Sequence, residues 1–153
     1  MAEESVCVVE RYTVPLDRAY HRRDHTWARL EGDLVRIGLD ALGVETAGDL
    51  AQLILSPPNA VLASGDEMGS LEAQKFVGDL RTPVGGTVVE VNARALADPR
   101  VVQDDPYGDG WLLVLEPSEN LHAEMASLLS GDDVREWFAA ELDRYRREGS
   151  VAG

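Results

Sequence analysis

Apolar residues recur at two different spacings along this chain, and the change falls near residue 117. Before it, short runs alternate apolar with polar positions, the period-two signature of strands that bury one face. The clearest run is Thr26-Trp27-Ala28-Arg29-Leu30 and Leu34-Val35-Arg36-Ile37-Gly38-Leu39 on either side of Glu31-Gly32-Asp33. That pattern predicts a β-hairpin closed by a short glycine turn. Asp40 is placed to cap a short helix from Ala41 to about Ala47, which Gly48 ends. Asp49 to Leu55 reads as a strand that Pro57-Pro58 terminates, since proline cannot continue a ladder. Two short strands, Glu67 to Leu71 and Val77 to Arg81, flank Glu72-Ala73-Gln74-Lys75-Phe76. Thr87 to Val91 is rich in β-branched residues and reads as another strand, Asn92 to Ala97 as one helical turn, Asp104 to Gly110 as a loop, and Trp111 to Leu115 as a buried strand.

After Pro117 the spacing becomes helical. Ser118 is placed to cap a helix carrying Leu121, Met125, Leu128 and Leu129 on one face, with Gly131 as its stop. Asp132 or Asp133 opens a second helix, with Val134, Trp137, Phe138, Leu142 and Tyr145 on one side and Arg144, Arg146 and Arg147 near its C-terminal end, where positive charge suits the dipole. Its aromatic residues are expected to pack against the β core. At the other end, Val6-Cys7-Val8-Val9 has β propensity without a visible partner, so residues 1–9 read as a loose leader or an added short strand. Tyr12 to His25 reads as irregular, with Pro15 breaking any helix. The whole predicts a mainly β fold, a small sandwich or flattened barrel with helices at its edges. Its segments are expected at 1–19 (leader), 20–117 (β domain) and 118–153 (helices packing on that domain).

Length and charge narrow the function. A chain of 153 residues with 44% hydrophobic content suits one domain with its own core. Asp and Glu number 28 against 14 Lys and Arg, a formal charge of −14. Such a surface repels phosphate backbones and anionic bilayers, which argues against nucleic-acid or membrane partners and suits steering toward basic patches on proteins. Cys7 is the only cysteine, so no internal disulfide forms. The acidic start shows no secretory signal, and no apolar run reaches membrane-spanning length, so a cytoplasmic protein is expected. His21, His25 and His122 are too few and too dispersed to indicate a metal site.

One cationic residue stands apart. Thirteen arginines accompany a single lysine, Lys75, in the predicted link between two strands. Only lysine offers a primary amine that can be acylated or form a Schiff base. A Schiff-base lysine needs a buried apolar pocket, for which a polar turn between strands is a poor setting. A hairpin tip instead presents its side chain to a modifying enzyme while the strands fix where a tethered group begins its swing. Glu72 and Asp79, three residues before and four after, either steer recognition or simply solvate the hairpin.

At this point the chain resembles a known family, the H proteins of the glycine cleavage system, which carry lipoyl-lysine. The resemblance runs from Tyr20 to about Leu129. It rests on His25 and Trp27, Leu30-Glu31-Gly32-Asp33, Ile37-Gly38, Gly48-Asp49, Gly69, Leu71-Glu72, Lys75, Asp79-Leu80, Pro83-Val84, Gly86, Val89-Glu90-Val91-Asn92 and Asp105-Pro106-Tyr107-Gly108-Asp109-Gly110-Trp111. It implies a lipoyl-domain-like flattened β-barrel or sandwich (a barrel-sandwich hybrid) with short helices and a C-terminal helical extension. It also implies a carrier that catalyses no step itself, with lipoic acid in amide linkage on Lys75. Glu72 and Gly86 match positions through which a lipoate ligase or a lipoyl/octanoyl transferase recognises the hairpin. Asp79, Thr26 and His25 match positions that contact the arm. The implied partners are the glycine decarboxylase P protein, the aminomethyltransferase T protein and dihydrolipoyl dehydrogenase, between which the arm moves the aminomethyl group of glycine.

The chain departs from the family pattern at several positions. His25-Thr26-Trp27 replaces the usual His-Glu-Trp, exchanging a carboxylate for a hydroxyl. Leu42-Gly43-Val44 replaces the usual Tyr-Ala-Gln or His-Ala-Gln, Glu72-Ala73-Gln74-Lys75-Phe76 replaces Glu-Ser-Val-Lys-Ala, and the second C-terminal helix runs past the usual end. Two alternatives follow: an H-like lipoate-binding protein that carries sulfur intermediates for enzymes of a heterodisulfide-reductase-like sulfur oxidation, or an H-like binding module that is never modified.

Overall fold

A computed structural model describes residues 5–151. The strands form three sheets. A hairpin of β1 (Val6–Val9) and β2 (Tyr12–Pro15) stands alone as a two-stranded sheet. Six strands make the largest sheet: β3 (Ala19–Tyr20), β4 (Thr26–Glu31), β5 (Leu34–Leu39), β7 (Val61–Leu62), β10 (Gly86–Val91) and β11 (Leu113–Pro117), in the order β3-β4-β5-β11-β10-β7. The third sheet is β6 (Leu50–Leu55), β8 (Glu67–Ala73) and β9 (Val77–Arg81), in that order. Every recorded strand pair is antiparallel. The sheets stay open, so of the two forms expected from the sequence the sandwich is the one adopted.

The core sits between the two larger sheets. Val35, Ile37, Val88 and Leu115 from one and Leu53, Met68, Leu71 and Leu80 from the other belong to a single buried cluster. This is the period-two alternation realised: Leu71 and Ala73 turn inward while Glu72 between them faces water. The β4–β5 hairpin pairs Thr26 with Leu39 and Glu31 with Leu34, the register its glycine turn requires. α1 (Ala41–Ala47) starts where expected: the Asp40 side chain accepts the Gly43 N–H at 2.9 Å, and Gly48 ends it.

A second core joins the chain ends. Cys7, Val9, Tyr12 and Val14 from the first hairpin pack with Tyr20, Trp27 and Leu42, and with Val134, Phe138 and Leu142 of α5 (Asp133–Arg147). Val6–Val9 therefore takes the added-strand alternative, and its partner is Tyr12–Pro15, which had read as irregular. Pro15 is compatible with this because it sits at the strand end, where a missing N–H costs no ladder bond. Of the segment expected as a leader, residues 1–4 lie outside the described residues.

The remaining differences are local. α2 (Ala93–Ala97) matches the expected helical turn, whereas α3 (Arg100–Asp104) and the two-residue strands β3 and β7 were not expected. α4 (Leu121–Ala126) is shorter than predicted and has Asn120, not Ser118, at its N-cap. Leu129 leaves the helical path because β3 offers it an unpaired backbone edge: Tyr20 N–H donates to the Leu129 carbonyl at 2.8 Å, and Leu129 N–H donates back at 2.9 Å. β11 starts at Leu113 rather than Trp111, since Trp111 N–H is still engaged by the Gly108 carbonyl in the preceding turn. Among the described residues no helix is long and apolar enough to cross a membrane.

Candidate functional site

Lys75 occupies the tip of the β8–β9 hairpin. The ladder runs to Glu72 opposite Val77, and Ala73 N–H donates to the Phe76 carbonyl at 2.8 Å, leaving Gln74 and Lys75 at the turn. The tip is held from outside as well. Gln74 N–H donates to the Asp49 carbonyl at 2.9 Å, and Lys75 N–H donates to the Ala47 carbonyl at 2.8 Å. The end of α1 thus fixes the main chain of the tip while the Lys75 side chain remains exposed. Sequence reasoning supplied the exposure and missed this second anchor.

Gly48 is what lets the two segments meet. Its φ is +82°, and a Cβ there would lie 3.1 Å from both Cβ and Oε1 of Gln74 and 3.5 Å from Lys75 Cγ. Gly48→Ala is therefore expected to lower stability by about 1–3 kcal/mol, since its φ of 82° and ψ of −159° lie in a backbone region open essentially to glycine alone. It is also expected to speed hydrogen exchange at the Gln74 and Lys75 amides relative to those of β4, measured together by exchange mass spectrometry. Unchanged exchange at the tip would contradict the anchor.

Beside the tip lies a groove of about 370 Å³, within the range of small-molecule sites. Leu39, Ala47, Leu71 and Leu80 supply its apolar lining. Lys75, Phe76, Asp79 and Arg81 come from the hairpin, Arg23 and Asp24 from the segment before β4, and Tyr145 from α5. His25 and Thr26 line it too. Four predicted residues, Lys75, Asp79, Thr26 and His25, are thereby brought to one cavity. Glu72 is exposed on β8 and outside the lining, but it stays on the hairpin. Gly86 is not brought to it. It is buried in β10 between Leu62 and Pro117, where a Cβ would lie 2.3 Å from the Glu116 carbonyl oxygen, and sheet packing accounts for the glycine.

Thr26 presents an unusual group. The residue is 1% exposed and its hydroxyl has no hydrogen-bond partner in the protein. A buried hydroxyl left unpaired costs about 1–3 kcal/mol, so this position favours a polar group entering the groove.

His25 is built into the wall rather than free to reach a ligand. It is 3% exposed, with Nδ1 2.8 Å from Asp40 Oδ2 and Nε2 2.8 Å from Glu141 Oε1. A ring flanked by two carboxylates has both contacts satisfied when both nitrogens carry protons, so the site favours the imidazolium form. Burial opposes that charge, but Asp40 and Glu141 together raise the imidazole above its usual value. Burial likewise opposes ionisation of Glu141, while hydrogen bonds from Arg144 and His25 bring its carboxyl below the usual range. The ring stacks on Trp137 at 5.1 Å, and Tyr145 lies 5.6 Å away. Asp40 therefore both caps α1 and pairs with His25. The sequence signalled the cap. Glu141 is 116 positions from His25; its place between Trp137 and Tyr145 on the apolar face of α5 marks it as unusual, but nothing local points to His25. Tyr145, expected to pack against the β core, also faces the groove.

The Asp105–Trp111 motif explains itself structurally. Asp109 N–H donates to the Asp105 carboxylate at 2.8 Å, and the Asn92 amide donates to the Asp109 and Trp111 carbonyls at 2.8 and 2.7 Å. Trp27 Nε1 donates to the Leu39 carbonyl at 2.9 Å and also reaches the Pro106 carbonyl at 3.2 Å. The loop thus braces β4 and β5 from behind.

The sequence profile described as "Glycine cleavage H-protein" matches residues 18–141. A glycine cleavage system H protein of Synechococcus sp. (strain CC9605) is 43% identical over 108 residues, 71% of this chain and 82% of that protein. Its counterpart from Carboxydothermus hydrogenoformans is 37% identical over 120 residues, 78% of this chain and 90% of that protein. The crystal structure of a glycine cleavage system H protein from Mycobacterium marinum superposes with a TM-score of 0.69 at 35% identity, covering 78% of this chain and 94% of that one.

Proposed function

Because the chain belongs to the glycine cleavage H-protein family, we propose that it is the lipoyl-lysine carrier of a glycine cleavage system, with lipoic acid in amide linkage on Lys75. The observation that carries the reading is the placement of the chain's single lysine, exposed on an anchored hairpin tip and on the rim of a groove. The residues present fit such a group. Leu39, Leu71 and Leu80 offer the apolar lining an acyl chain needs, and the unpaired Thr26 hydroxyl offers a polar contact at depth. When attached, lipoic acid supplies a dithiolane that takes up the carried group and two electrons.

The protein's own residues bind and position. The Ala47 and Asp49 carbonyls hold the tip, so the arm starts from a fixed point. The groove shelters the arm's end from water, and Thr26 and Asp79 are the candidates to contact a cationic amine cargo. His25 acts through its neighbours: fixed between Asp40 and Glu141, it sets the wall beside Thr26. Tethering replaces diffusion between the active sites of the P and T proteins and dihydrolipoyl dehydrogenase with a local concentration. The carrier is non-catalytic. A lipoate ligase or lipoyl/octanoyl transferase attaches the arm, and Glu72 is the hairpin residue placed for that enzyme to read.

The test is glycine–bicarbonate exchange by P protein, with intact mass reporting the lipoyl group. Fully lipoylated chain is expected to support exchange at a rate set by its concentration, and unmodified chain to give the background. Full lipoylation without exchange would assign the arm another cargo, such as the sulfur intermediates of the alternative above.

A further inference from the structure

Two aromatic residues share the groove with Lys75, and the arm contacts assigned above use neither. Phe76 follows Lys75 at the hairpin tip, and Tyr145 comes from the last turns of α5. The family match ends at residue 141, so Tyr145 is supplied by chain beyond it. Phe76 is laid along its own hairpin: a Cβ at Gly78 would lie 3.0 Å from its ring tip. Phe76 is nevertheless 41% exposed, an uncovered apolar residue next to the attachment amine. Tyr145 is held in place. The Arg144 guanidinium lies 4.3 Å over its ring, the His25 ring is 5.6 Å away, and Arg144 is itself fixed by a fork onto Glu141 at 3.0 Å.

We infer that Phe76 and Tyr145 form an aromatic clamp on the arm of lipoyl-Lys75, holding its methylenes and sulfurs in the groove between visits to partner enzymes. The inference rests on the lipoyl reading above. Its physical basis is that an acyl chain and its sulfurs gain apolar and sulfur–aromatic contact on these rings, which water does not offer. Sulfur–aromatic contacts are directional but modest, so the clamp biases the arm toward the groove without locking it there. Both are positioning residues.

The arm's exposure is measured directly. Wild type, Phe76→Ala, Tyr145→Ala and Tyr145→Phe are lipoylated, checked by intact mass, reduced with a phosphine, and alkylated with excess iodoacetamide. Peptide mass scores the arm separately from Cys7, which is buried. Phe76→Ala and Tyr145→Ala are each expected to alkylate roughly two- to tenfold faster than wild type, the range such contacts allow. Tyr145→Phe keeps the ring and is expected to keep the wild-type rate. Wild-type rates in both alanine variants, at full lipoyl mass, overturn the clamp alone. Acceleration by Tyr145→Ala without Phe76→Ala also overturns it, leaving only a loosened α5. Failure of Lys75 to gain lipoyl mass removes both the clamp and the carrier reading.

Discussion

Lys75→Arg is expected to fold like the wild-type chain and to carry nothing. The side chain is exposed, and the contacts that fix the tip are made by the main chain of Gln74 and Lys75, which the substitution leaves in place. Its effect on stability should stay within about 0.5 kcal/mol, as for other surface exchanges. Charge is also preserved, so any loss reports the amine and not the field around it. A guanidinium does not form the acyl amide, and the chain has no second lysine to take its place. Incubated with lipoate, ATP and a lipoate ligase, the variant should gain no lipoyl mass, and glycine exchange should fall to the rate seen without carrier. A lipoyl adduct on this variant would move the attachment to another group, and a large fall in its thermal midpoint would mean that the Lys75 side chain has a packing role.

The parts of this site that were legible in the sequence are those with local causes. The hairpins follow from period-two burial and glycine turns, and α1 from Asp40 and Gly48 at its two ends. Lys75 was visible because it is solitary. His25, Thr26 and Asp79 were named through family resemblance, and their convergence on one groove is a consequence of β4 and β9 both bordering it. Gly86 was named the same way, and its place in β10, where a Cβ would meet the Glu116 carbonyl oxygen, gives the glycine a packing reason that stands beside the recognition reading.

What was not legible is long-range. Cys7, Val9, Tyr12 and Val14 bury their side chains against α5, more than a hundred positions away, so the surface that stabilises the first hairpin is invisible in the linear chain and Tyr12–Pro15 read as irregular. β3 and β7 have two residues each and are defined by the strands they join rather than by any pattern of their own. The role of Glu141 depends on α5 crossing over His25; its place among Trp137, Phe138 and Tyr145 marks a carboxylate within the apolar face, but nothing in the linear chain names the partner it meets there. The helix pattern also misled at Leu128 and Leu129. Both are placed correctly for a helical face, but a backbone edge at Tyr20 competes for Leu129 and wins.

Asp40→Ala should be the most damaging of the single substitutions considered, lowering stability by about 2–4 kcal/mol, the cost of a lost helix cap together with a buried imidazole N–H left without its acceptor. Two functions fail together. The α1 N-cap loses its acceptor for Gly43, and the His25 Nδ1–H loses its carboxylate in a site that water does not reach. His25 holds φ at +54°, a conformation this residue keeps only while its surroundings insist on it. The sign of the accompanying pH effect follows from the shifts. His25 is raised in the folded state, so its contribution is complete below the unfolded imidazole value of about 6.5 and is lost as pH rises through the folded value. Glu141 is lowered, so its contribution is present above the unfolded carboxyl value of about 4.3 and is lost as pH falls through the folded value. Wild type should therefore be most stable between those two limits and weaken toward alkaline pH. Asp40→Ala removes the first of the two attractions on His25 and leaves Glu141, with Arg144 forked onto it, so its decline above about pH 6.5 should be shallower. Urea titrations near pH 5.5 and pH 8.5 read both quantities, and parallel losses in the two proteins would remove His25 as their source. The consequence reaches the groove, because Thr26 is the next residue and its unpaired hydroxyl is aimed by the same stretch of β4. A lipoylated Asp40→Ala chain that stays folded at low temperature should accordingly expose its arm to alkylation faster than wild type.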